Sequence, residues 1–379
     1  MDAMNENEKT KALAINPGST STKIALFSDY DVLFSVSIKH SPEDLALFGD
    51  IQDQLEYRTE MVAKSVAENG YAMEDVDVYC ARGGGLVPVT SGVYAVSELL
   101  ATHASIPMSG GPHPAQLASQ IAKRFADKYK KPAFVVNPPD VDEFCELARV
   151  SGIRGIERES HVHALNQKEI ALRFCKSRGL DYGSLNIIIC HIGGGVSITA
   201  HEKGRMIDSN NIIKGSGPMT STRAGDMPYM KVLDLAYSGE FTKKELADKL
   251  NKNGGIADHF GTSDIRDVIK MIENGDKYAE IVFNGMIYQN AKYVGAMAAA
   301  LKGRVDAIIL TGGVSNNSYF TGQMSKYIGW IAEVVIMPGE FELEALAAGA
   351  IRVMRGEEEA KTYTGVPVWG GLEDLDKSP

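Results

Sequence analysis

Asn16-Pro17-Gly18-Ser19-Thr20-Ser21-Thr22-Lys23 gathers small hydroxyl residues, glycine and a lysine into one short stretch. Such a turn offers backbone N–H groups and Ser/Thr hydroxyls with no large side chain in the way, which suits a phosphate chain. The same composition also fits an ordinary polar hairpin turn. A second stretch of this kind is His191-Ile192-Gly193-Gly194-Gly195. Arg82-Gly83-Gly84-Gly85 sets a permanent charge beside backbone that is easily approached. Arg223 lies in a long loop, residues 209–226, where it either closes on Asp226 or clamps an anion. His161 and His163 open a helix, and Thr311-Gly312-Gly313 leads from a strand toward another, a favourable place for a nucleotide. Asn137 to Glu143 follow a strand and read either as a water-mediated Mg²⁺ site or as a solvated loop.

The elements that hold these residues repeat. Residues 12–39 read as strand, Gly/Ser turn, strand, tight turn at Ser28-Asp29-Tyr30-Asp31, strand. Residues 186–208 read the same way, with His191 at the point that Asn16 occupies in the first copy. Self-similarity over this separation indicates a duplicated domain rather than a solenoid, whose period is about 20–50 residues. Two such domains would bind a ligand in the cleft between them. Strands are expected at 76–80, delivering Arg82, and at 133–136, 305–310 and 334–337. Helices are expected over 41–69, 115–128, 161–177, 242–251, 277–302 and 340–355, with another starting near 262. Residues 1–11 read as a polar lead-in and 357–379 as a loosely held tail.

Composition narrows the classes. The 379 residues suffice for two domains, and the net charge of −10, without a basic run, excludes a nucleic-acid partner. No apolar run approaches the roughly 20 residues of a membrane span, so no membrane partner is expected. Cys80, Cys145, Cys175 and Cys190 are scattered, as for free thiols in a reducing cytoplasm. There is no Walker P-loop, no Gly-x-Gly-x-x-Gly opening a helix, no Gly-x-Ser-x-Gly, no His-Glu-x-x-His and no Cys/His zinc cluster.

Taken in order, these stretches resemble the acetate/butyrate kinase family. The resemblance runs through Asn16–Lys23, Ala81-Arg82-Gly83-Gly84-Gly85, Ala148-Arg149-Val150-Ser151-Gly152, His163-Ala164-Leu165-Asn166-Gln167, His191–Gly195 and Leu310-Thr311-Gly312-Gly313. That family belongs to the superfamily of acetate and sugar kinases, actin and heat-shock chaperone ATPases. The resemblance implies an α/β fold of two duplicated ribonuclease-H-like domains, each a mixed sheet flanked by helices, with an ATP cleft between them. Residues 12–148 plus 346–379 would form the acyl and phosphate side, and 149–345 the nucleotide side.

The resemblance also implies roles. Asn16, Ser19, Ser21 and Lys23 match the phosphate-loop positions, with Asn16 in the catalytic set. Arg82 and Arg223 match the arginines holding the carboxylate and the transferring phosphoryl group, and His163 a histidine bonding that group in flight. His191, Gly193, Gly194 and Gly195 match the second phosphate loop; Asp264, Arg266, Gly312, Gly313 and Asn316 match the adenosine pocket. Glu342 matches a carboxylate near Mg²⁺. At the family's strand-end acid this chain has Asn137, so Asp140 or Asp142 would supply the charge; the second acid expected beside Glu342 is Leu343. Gly84 and Val162 replace the Val and Phe of acetate kinases, which removes volume and fits a longer acyl chain. One methylene is worth only about 1–3 kcal/mol, so neighbouring chain lengths should overlap.

The implied reaction transfers the γ-phosphoryl of ATP to butyrate, reversibly and in line, giving butyryl phosphate and ADP. The acceptor, with a pKa of about 4–5, is already an anion, so no general base is needed. The difficulty is repulsion between two anions, which arginines, histidine, lysine and Mg²⁺ would relieve. Alternatives are a branched-chain (isobutyrate) or acetate/propionate kinase and, from another class, an acceptor-independent ATPase clamp. A cytoplasmic homo-oligomer, dimer or larger, is the family expectation.

Overall fold

Ala12–Ile15 is an apolar run with no exposed surface, and it becomes the middle of a sheet. The computed structural model describes residues 9–108, 111–213 and 216–373; residues 1–8 of the lead-in expected at 1–11 and residues 374–379 of the tail expected at 357–379 lie outside them. Lys11 already belongs to the first strand, and before it Lys9 pairs with Asp31 at 3.0 Å.

The chain divides into two compact units. The first comprises residues 1–142, 164–168 and 341–379. Its sheet uses β1 (Lys11–Pro17), β2 (Ser21–Ser28), β3 (Asp31–Lys39), β4 (Val78–Ala81), β5 (Val93–Ala95) and β6 (Ala133–Val136), ordered β3-β2-β1-β4-β6-β5. β1, β2 and β3 form an antiparallel meander, whereas β4 joins β1 in parallel. Helix Glu342–Met354 lays Ala345, Leu346, Ala350 and Ile351 on the apolar face formed by Ala12, Ala14, Val78 and Phe134. Gly349 permits this approach, since a Cβ there would stand 2.5 Å from Val136 Cγ1.

The second unit comprises residues 143–163 and 169–340. Its sheet uses β7 (Asn186–Ile192), β8 (Val196–Glu202), β9 (Arg205–Ser209), β10 (Ala307–Thr311) and β11 (Glu333–Ile336), ordered β11-β10-β7-β8-β9. β7, β8 and β9 are an antiparallel meander, and β10 joins β7 in parallel. Strand for strand this matches β6-β4-β1-β2-β3, so the duplication read from the sequence is real at the level of topology. Helix Lys277–Ala300 covers the sheet, burying Phe283, Met286, Ile287 and Val294 with Ile188, Ile198 and Leu310.

Two expectations require correction. The single helix over 41–69 is two, Pro42–Leu45 and Leu55–Glu68. Between them Asp53 accepts the N–H groups of Gly49 and Asp50, and Asp50 accepts those of Gln52 and Asp53. Carboxylates that capture nearby backbone donors compete with the helical bonds and stop the helix. The tail is not loose through residue 368. Lys361 exchanges backbone bonds with β5, the Val368 N–H reaches the Pro88 carbonyl, and Tyr363 is buried with its hydroxyl on the Val87 N–H and His103 Nδ1.

Candidate active site

In the first unit the sheet places four polar groups together. Asn16, at the end of β1, lies opposite Lys23 in the register with β2. β4 ends at Ala81, so Arg82 emerges at the C-terminal edge, with its N–H on the Ile15 carbonyl. Glu342, in the first turn of its helix, pairs with the Arg82 guanidinium and accepts from Asn16 Nδ2 at 2.7 Å. Burial alone would raise the Glu342 pKa, but the charge and hydrogen bond of Arg82, the amide of Asn16 and the charge of Lys23 together lower it. Glu342 is therefore a carboxylate at neutral pH. Arg82 Nε is buried without an acceptor among the described residues, a donor left for something else.

Gly83, Gly84 and Gly85 follow, with φ of +71°, +139° and +75°. A Cβ on Gly83 would lie 2.5 Å from Val135, so glycine here is demanded by backbone and packing. The conformation of Gly84 requires glycine independently of any acyl pocket. His113, which the sequence reading did not single out, stands near enough to Arg82 to feel its charge. Burial first, and Arg82 second, lower its pKa. Its Nδ1 accepts from the Ala115 N–H at 3.1 Å, which leaves the proton on Nε2. Its only sequence signal was a His in a Gly/Pro-rich loop.

In the second unit, His163 precedes helix Ala164–Arg178 and bonds Ser197 Oγ through Nδ1 at 2.9 Å. His191, near the end of β7, stacks on it with ring centroids 4.1 Å apart. Val162 beside them is 2% exposed. The turn Gly193–Gly195 joins β7 to β8, and its Gly194 carbonyl accepts from the hydroxyls of Thr220 and Thr222. Those bonds tie the turn to the loop that carries Arg223. The loop is itself clamped: the Thr220 hydroxyl accepts from the Arg223 N–H, and Thr220 and Arg223 carbonyls crowd Gly255, where a Cβ would meet them at 2.0 and 2.6 Å.

The two readings of Arg223 now separate. Asp226 accepts from the Gly217 N–H and the Tyr293 hydroxyl, and does not pair with Arg223. Among the described residues Arg223 has no carboxylate partner, and burial alone depresses its pKa. Its guanidinium instead lies over Gly195, where a Cβ would come within 3.0 Å of Nη1. A half-buried cation with no carboxylate partner among the described residues, laid over a glycine turn, has the chemistry to hold an anion.

Beside that turn is a cavity of about 530 Å³. Gly193, Gly194, Asp264, Arg266, Gly313 and Asn316 line it, drawn together from positions far apart in the chain. Gly312 sits just behind, at φ +87°, where a Cβ would strike the Ile192 carbonyl at 2.4 Å. Asp264 caps helix Ile265–Glu273 and accepts from Arg266 Nε at 2.9 Å; hydrogen bonds from Arg266 lower its pKa to about 2. Ser221, Ser263 and Glu340 also line the cavity and were not singled out in the sequence.

The Mg²⁺ candidates differ. Asn137 has φ +39° and its Oδ1 accepts from the Gly92 N–H at 2.8 Å, in a reciprocal bond with that residue's backbone. Among the described residues no three His, Cys, Asp or Glu side chains cluster as a metal cage. Glu342, held ionised, is the firmer candidate. Among the described residues, no helix is long and apolar enough to cross a membrane.

Two like α/β units, each with a turn at the end of its first strand, make up the fold, and solved structures share it. These include an acetate kinase from Porphyromonas gingivalis (TM-score 0.73, 21% identity, 91% of this chain and 100% of that one). A propionate kinase from Francisella tularensis follows (TM-score 0.69, 18% identity, 89% and 98%). The sequence profile of the Acetokinase family matches residues 153–326. A probable butyrate kinase from Clostridium botulinum is 40% identical over 353 residues, 93% of this chain and 99% of that one. Another, from Bacteroides thetaiotaomicron, is 41% identical over 354 residues, with the same coverage. The chain belongs to the acetokinase family.

Proposed function

We propose that this protein transfers the γ-phosphoryl group of ATP to butyrate, forming butyryl phosphate and ADP, and runs the reverse reaction. The observation that carries the reading is Arg223: a cation without a counter-ion among the described residues, beside a glycine turn that opens into a nucleotide-sized cavity. Relatives of about 40% identity bearing the name butyrate kinase support the choice of acceptor.

In this reading Gly193, Gly194 and Gly195, with His191, receive the phosphates, and Asp264, Arg266, Gly312, Gly313 and Asn316 hold the adenosine. Ser19, Ser21 and Lys23 form the phosphate turn of the first unit. Arg82 and Arg223 are the arginines for the carboxylate and the transferring phosphoryl group, His163 is the histidine that bonds that group in flight, and Asn16 completes the catalytic set. The buried Arg82 Nε is the donor expected for this task. Glu342 would hold Mg²⁺, whose charge would offset that of the phosphates; one carboxylate suffices, because this ion keeps waters and phosphate oxygens as its other ligands. Asn137, Asp140 and Asp142 rank behind it. Val162 limits the acyl pocket. The enzyme acts as a cytoplasmic homo-oligomer.

The test is a hydroxamate assay. ATP, Mg²⁺, hydroxylamine and butyrate should yield acyl hydroxamate, faster at limiting acid than with acetate, propionate or isobutyrate. ADP release with no hydroxamate from any acid would refute the reading and favour an acceptor-independent ATPase. Preference for another acid would move the assignment to that acid's kinase.

A further inference from the structure

Beneath the turn Gly18–Thr22 lies a residue that no motif predicts. Arg58, on helix Leu55–Glu68, has no exposed surface. Its Nη1 donates to the Gly18 carbonyl and to Thr22 Oγ1, each at 3.0 Å, and to the Ser21 carbonyl at 3.4 Å. Its Nη2 donates to the Ser19 carbonyl at 3.4 Å, and its Nε to Gln54 Oε1 at 3.0 Å. No carboxylate pairs with it among the described residues. Thr22 is also fully buried, and its hydroxyl meets His40 Nε2 at 2.8 Å. Because Arg58 only donates, the Thr22 proton is free for His40, which burial and Arg58 keep neutral by lowering its pKa to about 4.

A buried guanidinium without a counter-ion costs several kcal/mol of desolvation, and a structural contact to carbonyl groups could be made by a neutral amide. What the charge adds is directional. Arg58 collects three carbonyl oxygens of the turn on its inner side. The N–H groups of Ser19 and Thr20, both exposed, have no acceptor among the described residues. Carbonyl oxygens near a triphosphate repel it; a cation beneath them reverses the sign of the local field.

We infer that Arg58 is a positioning residue for the first phosphate turn, fixing its carbonyl groups inward so that its amide face and one uncompensated positive charge are presented to the phosphates of ATP. The inference rests on the reading of residues 18–23 as a phosphate turn. Arg58 touches no reacting atom and acts through the turn.

The experiment compares Arg58→Gln, Arg58→Lys, Thr22→Val and Lys23→Ala with the wild type, by thermal melting and by steady-state kinetics against ATP and butyrate separately. For Arg58→Gln the KM for ATP should rise at least tenfold while that for butyrate changes less than threefold. Arg58→Lys, which keeps the charge, should recover part of that loss. Thr22→Val, which removes one acceptor, should raise the KM for ATP about threefold and keeps the inference testable should neither Arg58 variant fold. A purely structural role would lower the melting temperature and leave both KM values of the folded variants within twofold, and that result overturns the inference. Should Lys23→Ala leave the KM for ATP unchanged, the phosphate-turn reading itself fails; a rise for Lys23→Ala with none for the other variants rejects only the role of Arg58.

Discussion

Gly195→Ala offers a way to move Arg223 without deleting it. Gly195 lies outside the left-handed region, so its backbone accepts alanine. The new methyl would stand 3.0, 3.3 and 3.4 Å from Nη1, Cζ and Nη2 of Arg223, where ordinary contact is 3.4–4 Å. The guanidinium must therefore retreat by a few tenths of an ångström, and since a misplacement of about 1 Å can cost on the order of 10²-fold in rate, this smaller shift should cost a fraction of that on a logarithmic scale. A roughly three- to tenfold fall in kcat is expected, or about 0.6–1.4 kcal/mol of lost transition-state stabilisation. The hydroxamate assay at saturating ATP and butyrate measures it, with a thermal melt to verify folding. The decisive comparison is a double-mutant cycle. In an Arg223→Ala background, Gly195→Ala should cost almost nothing further, because the group it displaces is gone. A folded Gly195→Ala enzyme within twofold of wild type, or an equal loss in both backgrounds, refutes the reasoning.

Arg82→Ala and Arg223→Ala should each reduce kcat by roughly 10²–10³, the scale of one lost transition-state donor, in the same assay. Val162→Phe adds volume at a site only 2% exposed and should shift the ratio of kcat/KM for butyrate over acetate toward acetate by about tenfold or more. Gly84→Val is the poorer probe of that pocket, since φ of +139° strains any side chain there. Glu342 has a pKa below its ordinary 4.5, so its contribution to stability is complete above that value and fades as pH falls through the depressed folded pKa. Urea midpoints between pH 6 and 3 should therefore fall below about 4.5, and Glu342→Gln should flatten that decline.

The architecture was legible where local pattern decides it. Alternation and Gly/Ser turns marked both meanders, and the strand order showed that they are copies. Asp50 and Asp53 were not legible as helix stops, because which backbone groups a carboxylate captures depends on the turn it sits in. The choice between Asp226 and an anion for Arg223 required Tyr293, far along the chain, whose hydroxyl occupies Asp226. Arg58 gave no signal at all: an arginine in mid-helix reads as a solvated side chain until the fold turns that face inward. Asp264, Arg266, Gly313 and Asn316 gave a clearer one, since capped helix starts and glycine turns mark their own ends, and the structure gathers them at one cavity.

The docking of residues 361–368 has a practical outcome for anyone shortening this chain. β5 is the outermost strand of its sheet, and Lys361 covers part of its outer rim with two main-chain bonds. A truncation after Gly356 would strip that cover and leave Val93–Ala95 as a bare template for a stranger's strand. Such a shortened protein should lose solubility before it loses its fold.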